Sequence, residues 1–141
     1  MDISVTFPLV EPAVSVPWGI SEPDLVALLG SRLRRVTTGY LTMTCKALPG
    51  PEHELGFHFE PRSNGKLVEL EFFRRSYKDQ AGSYAQFQEA FERAFGPPTN
   101  VAPGAEGFPT AEWRFGRIAI RHLVMDRFGP EEHMRIRCHA A

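Results

Sequence analysis

Residues 83–125 join a capped amphipathic helix to an aromatic hairpin, and no other stretch restricts the fold as strongly. Ser83-Tyr84-Ala85-Gln86 has the form of a capping box, so the spacing predicts a helix that starts at Ser83. Tyr84, Phe87, Phe91, Ala94 and Phe95 recur at helical spacing on one face, with Gln88, Glu89, Glu92 and Arg93 on the other. Gly96 suits a left-handed cap and Pro97 and Pro98 cannot continue the helix, which ends it at 95. Downstream, the segments 112–115 and 118–122 flank Gly116-Arg117, a pair suited to a type II′ turn. That turn places Phe115 against Ile118, Trp113 against Ile120 and Glu112 against Arg121. The aromatic side of this hairpin is the expected seat of the helix stripe.

The same rules extend to the rest of the chain. Ile20-Ser21-Glu22-Pro23-Asp24-Leu25 is a second helix start, with Ser21 as cap, Pro23 in the first turn and Gly30 as the stop. Strand-like alternation runs through 3–7, 33–47 (broken near Thr38-Gly39), 55–75 and, after a turn at 126–132, from Met134 to Cys138. Asn64-Gly65 favours a two-residue type I′ turn, which would set Phe59 opposite Leu70 and Phe57 opposite Phe72 on a core face. The opposite face would then pair Glu60 with Glu69 and His58 with Glu71. The resulting fold class is α+β, a largely antiparallel sheet of about 7–8 strands packed against two helices, 21–30 and 83–95, in one domain spanning 1–141. Gly30 and Gly96 each end a helix that precedes strands, a loose internal echo without common spacing.

Composition excludes some functions. A net charge of −1 argues against a general nucleic-acid binder, which needs a cationic excess to release counterions. The first residues lack a basic and apolar leader and no apolar run is long enough to span a bilayer, so the expected location is the cytoplasm. Cys45 and Cys138 each fall inside an alternating run and read as two buried free thiols.

His58, Glu60, Glu69 and Glu71 form the sharpest candidate site, because like charges opposite one another in a sheet serve no purpose in folding. Three readings follow: a solvated face neutralised by Arg62, Arg74 or Arg75; a surface for a basic protein partner; or a site for a divalent cation, for which one imidazole with carboxylates is suitable. Trp18, between Pro17 and Gly19, is the expected exposed aromatic and a candidate interface anchor. His122 shares a side with Ile118, Ile120 and Val124 and reads as a hydrogen-bonded core residue. His133, Arg135, Arg137 and His139 read as edge protection on an exposed strand face. There is no nucleophile elbow, phosphate-binding glycine loop, HExxH or zinc-ligand spacing, so no residue is assigned a catalytic or metal-binding role and no cofactor is expected.

Phe91-Glu92-Arg93-Ala94-Phe95-Gly96-Pro97-Pro98, then Trp113-Arg114-Phe115-Gly116-Arg117-Ile118, then Asp126-Arg127-Phe128-Gly129-Pro130-Glu131-Glu132 resembles the C-terminal half of small bacterial immunity proteins that accompany secreted antibacterial toxins. The resemblance implies tight, non-catalytic binding to a cognate toxin domain. The leading expectation is therefore an immunity or inhibitor protein that engages its partner through His58, Glu60, Glu69, Glu71 and Trp18. A small metal-dependent or ligand-binding enzyme using His58 with Glu60, Glu69 and Glu71 is the second, and an oligomerising module the third.

Overall fold

Alternating apolar and polar residues set the strands, and two interruptions of that period become helices. The computed structural model describes residues 2–74, 79–126 and 129–139. Its elements are β1 (Thr6–Pro8), β2 (Ser15–Pro17), α1 (Glu22–Leu29), β3 (Arg34–Thr37), β4 (Tyr40–Cys45), β5 (His53–Glu60), β6 (Lys66–Phe73), α2 (Gln80–Phe95), β7 (Asn100–Ala102), β8 (Thr110–Phe115), β9 (Ile118–Asp126) and β10 (Pro130–Cys138). β1 and β2 form a small ribbon. The other eight strands make one antiparallel sheet in the order β3-β4-β5-β6-β10-β9-β8-β7. The fold is α+β, as the alternation predicts.

The order of elements repeats. α1 leads into the meander β3 to β6, α2 leads into the meander β7 to β10, and the two meanders join through their last strands. One row across the sheet displays the relation. Thr42 pairs with Gly56 and Gly56 with Glu71; Glu71 meets Arg135 at the join; Arg135 pairs with Arg121 and Arg121 with Glu112. A twofold turn about the Glu71–Arg135 pair exchanges the halves. The helix-ending glycines occupy equivalent places, with φ of 65° at Gly30 and 81° at Gly96.

One face of the sheet is the core. Leu41, Met43, Leu55, Phe57, Phe59, Leu70, Phe72, Trp113, Ile120, Met134 and Ile136 point inward and form one cluster with Leu25 and Leu29 of α1 and Phe7 and Val16 of the ribbon. α2 lies on this face. The Phe91 ring is 5.4 Å from Phe72 and 5.7 Å from Trp113, and the Trp113 indole N–H donates to the Gly96 carbonyl at 2.8 Å. The aromatic stripe thus rests on both meanders rather than on the second hairpin alone.

Local chemistry explains where the sequence-based boundaries move. α2 begins at Gln80 because Asp79 caps it, its carboxylate accepting from the Gly82 N–H at 2.9 Å. Ser83 is consequently a buried helical residue, and Gln86 bonds Arg74 at 2.6 Å instead of closing a capping box. Ser21 caps α1 as expected. The type II′ turn at Gly116-Arg117 holds, with positive φ at Gly116 and the predicted pairs Phe115–Ile118, Trp113–Ile120 and Glu112–Arg121. The turn at Asn64-Gly65 does not. Pro61 has no N–H for the ladder, so pairing ends at Glu60–Lys66 and residues 61–65 form a longer loop. The register shifts accordingly: Phe57 faces Leu70, His58 faces Glu69, and a bulge at Val68 keeps Phe59 and Leu67 both inward.

β10 begins at Pro130, earlier than expected, and lies between β6 and β9, so its basic residues are not edge protection. Arg127 and Phe128 of the expected turn, like Arg75, lie outside the described residues. Cys45 and Cys138 are free and buried, with β5 and β6 between their strands and the two residues toward opposite ends of the sheet.

Candidate functional site

The face turned away from the helices carries the charged groups. β5 and β6 present His58, Glu60, Glu69 and Glu71, and β10 lays Arg135 and Arg137 beside them in register. Arg135 donates to Glu69 at 3.0 Å and to Glu71 at 3.3 Å. Arg137 donates to both Glu60 oxygens at 3.0 Å and lies 3.6 Å from Glu69. The His58 Nε2 meets Glu71 diagonally at 2.8 Å. The repulsion expected between Glu60 and Glu69 is therefore absent: Glu60 stands opposite Lys66, and the two charged strips neutralise one another, with β10 supplying the partners instead of Arg62 or Arg74.

This lattice holds its charges tightly. The hydrogen bond from His58, aided by Arg135, holds the Glu71 carboxyl below the usual carboxylate range, and Glu60 chiefly raises the pKa of Arg137. The Tyr40 ring stacks on His58 at 4.5 Å and covers Gly56, where a β-carbon would lie 2.7 Å from the ring. Burial raises the Tyr40 pKa. A shallow depression of about 370 Å³ borders these groups, lined by Thr38, Tyr40, His58, Glu60, Arg62 and Arg137. Among the described residues, no group of three or more His, Cys, Asp or Glu is arranged to hold a metal ion. The carboxylates expected to serve a cation are committed to arginines.

Trp18 departs from expectation as well. It is half-buried against the core rather than exposed, and its indole N–H donates to the Ile3 carbonyl at 2.8 Å, so it ties the N-terminal segment down.

The inner face holds two polar features. His122 is fully buried, as a core histidine should be, with Nδ1 2.8 Å from Gln88 Oε1 and Nε2 2.5 Å from Glu132 Oε2. Tyr84 stacks on its ring at 4.3 Å. Glu132 also accepts from the Ser83 hydroxyl at 2.7 Å and from Gln80 at 3.3 Å. The order of these contacts decides the chemistry. Ser83 donates to the carboxylate rather than to the imidazole, so the three do not stand in the order of a nucleophile–imidazole–carboxylate relay, and His122 and Glu132 have fully buried side chains. The cluster is a structural network. Sequence reading placed Glu132 in a turn, yet its two-residue spacing from Met134 already marked the inner face. The second feature, His53, accepts from the Ala47 N–H through Nε2 and donates from Nδ1 to the Glu54 carbonyl, and burial lowers its pKa from 6.5 to about 4.

A second outer depression, of about 350 Å³, was not anticipated. Arg121, Leu123, Met125, His133 and Arg135 line it. Its sequence signal was the phase of β9: with Ile118, Ile120 and His122 inward, Leu123 and Met125 are apolar residues on the polar side.

No family model matches the chain, and no curated protein matches it. Among solved structures, a DUF4309 family protein, YjgB, from Bacillus subtilis is similar, with 14% sequence identity, coverage of 84% of this chain and 78% of that one, and a TM-score of 0.46. No helix among the described residues is long and apolar enough to cross a membrane.

Proposed function

We propose that this is a non-catalytic binding protein of the immunity or inhibitor kind, which neutralises a cognate bacterial toxin by direct contact through the outer face of its sheet. The observation that carries the reading is the placement of both helices and the ribbon on one side, which leaves a broad, polar and ordered sheet face with no helix over it among the described residues. Ion pairs such as Arg135 to Glu69 and Arg137 to Glu60 fix its side chains before any partner arrives, which lowers the ordering cost of association. The arrangement of Ser83, His122 and Glu132 adds no catalytic assignment to compete with it.

The test uses the product of the neighbouring reading frame, co-expressed with this chain. The expected outcome is growth rescue and a complex that survives gel filtration. A neighbour whose product is harmless alone, or toxic but never bound, would sink the reading.

A further inference from the structure

We propose that the β9–β10 end of the outer face receives an acidic segment of the protein partner, with one carboxylate between Arg121 and Arg135 and an adjacent apolar side chain on Leu123 and Met125 beside His133. The inference deepens the binding reading above and rests on it. It reverses the polarity that the sequence suggested, from a basic partner on the acidic strip to an acidic partner on what the strip leaves over.

Three observations support it. Arg121 and Arg135 are directly paired across β9 and β10, an arrangement that disfavours the sheet unless an anion lies between them. Arg135 spends its guanidinium on Glu69 and Glu71, whereas no carboxylate among the described residues lies within ion-pair distance of Arg121; Glu112, its cross-strand neighbour, does not reach it. The β6 side of this pair is neutralised and the β9 side is not.

The second observation concerns His133. Its Nε2 is out of solvent without a hydrogen bond, and the Glu131 carboxylate 3.4 Å away is not placed to make one. An oxygen from a partner entering the depression would satisfy it. The third comes from the twofold relation between the meanders. On the first half, Tyr40 lies opposite His58 and fills the space over Gly56. The equivalents on the second half are Leu123 for His58 and Arg121 for Gly56, and continuing the β8–β9 register one residue puts Thr110 where Tyr40 stands. The chain supplies its own aromatic cover on one half and a small side chain on the other. An apolar group from a partner would take the place that Tyr40 fills on the first half.

The experiment is a titration of isotope-labelled protein with a short capped peptide alternating Asp and Leu, and with its counterpart alternating Lys and Leu. Saturable amide shifts are expected at Arg121, Leu123, Met125 and His133 with the acidic peptide, absent with the lysine peptide. They should weaken roughly tenfold in Arg121→Glu, the size of effect expected for one central charged contact. Arg121→Gln, which adds no charge, should weaken them less and provides a second reading if the Glu variant folds poorly. Equal response to both peptides, or shifts centred on Glu60 and Glu69, would overturn the proposal. With the neighbouring-frame product, an intact complex unaffected by Arg121→Glu overturns the docking place while keeping the binding reading. Absence of any complex overturns that reading instead.

Discussion

The sheet carries a histidine–glutamate hydrogen bond on each face, and the two do different work. His122 and Glu132, on the inner face, have fully buried side chains and share a hydrogen-bonded net with Ser83, Gln80 and Gln88. His58 and Glu71, on the outer face, keep 31% and 22% of their side-chain surface and share their neighbours with Arg135 and Tyr40. The residue types match, but solvent does not. In the interior each polar atom depends on its partner because water cannot replace it, whereas outside water competes for every bond and the pair contributes little beyond order. Inner polarity specifies how α2 and β10 meet. Outer polarity arranges a surface.

The sharpest way to break this contrast is to remove one carboxylate from each pair. Glu132→Ala strands the His122 ring nitrogen and the Ser83 hydroxyl in the core and should cost about 3–5 kcal/mol in chemical denaturation. Glu71→Ala should cost no more than about 1 kcal/mol in the same assay, since its partners face water. Equal losses would show that burial is not what separates the faces.

Acid titration sharpens the comparison with a third histidine. Burial depresses the His53 pKa from 6.5 to about 4, so between those values the unfolded chain binds more protons than the folded one. Its contribution is fully present above pH 6.5 and is lost as the pH falls through 4. Urea midpoints of the wild type should therefore drop on going from pH 7 to pH 5. In His53→Phe this drop should shrink, with an overall loss of about 1–3 kcal/mol for the Ala47 N–H left without its acceptor. An unchanged acid slope would remove His53 from the account.

The smallest effect is expected at Arg121. Arg121→Gln removes a like charge facing Arg135 and should alter stability by no more than about 0.5 kcal/mol, with any change toward greater stability. A clear destabilisation in thermal melts would mean that Arg121 supports the fold, contrary to a residue held for a partner.

Legibility followed the range of the interactions. The β8–β9 hairpin was readable because a two-residue turn at Gly116-Arg117 and the adjacent alternation determine each other over a dozen positions. The β5–β6 register slipped because Pro61 and the Val68 bulge override the preference of Asn64-Gly65: the shift of two leaves residues 69–72 on their predicted faces, while beyond the bulge Leu67 turns inward and Lys66 outward. Pairing of β6 with β10 was illegible, since nothing local says that residues 69–72 meet 134–137. That unseen contact, together with the slip that sets Glu60 opposite Lys66, accounts for the difference at the acidic strip: read without them, Glu69 repels Glu60 and Arg137 guards an edge. Trp18 failed for a similar reason, as its partner, the Ile3 carbonyl, is a backbone group that composition cannot flag.

β10 follows every other element in sequence yet occupies the middle of the sheet. During synthesis the first meander leaves the ribosome with the edge of β6 open, and that edge stays open until residues 130–138 arrive. Glu69 and Glu71 then lack their arginines, though Glu71 keeps its bond to His58, and the charge on this free strand discourages pairing with a neighbouring chain. The arginines that quiet those carboxylates in the finished fold arrive on the strand that closes the gap. The same two glutamates thus guard the nascent sheet first and help fasten it afterwards.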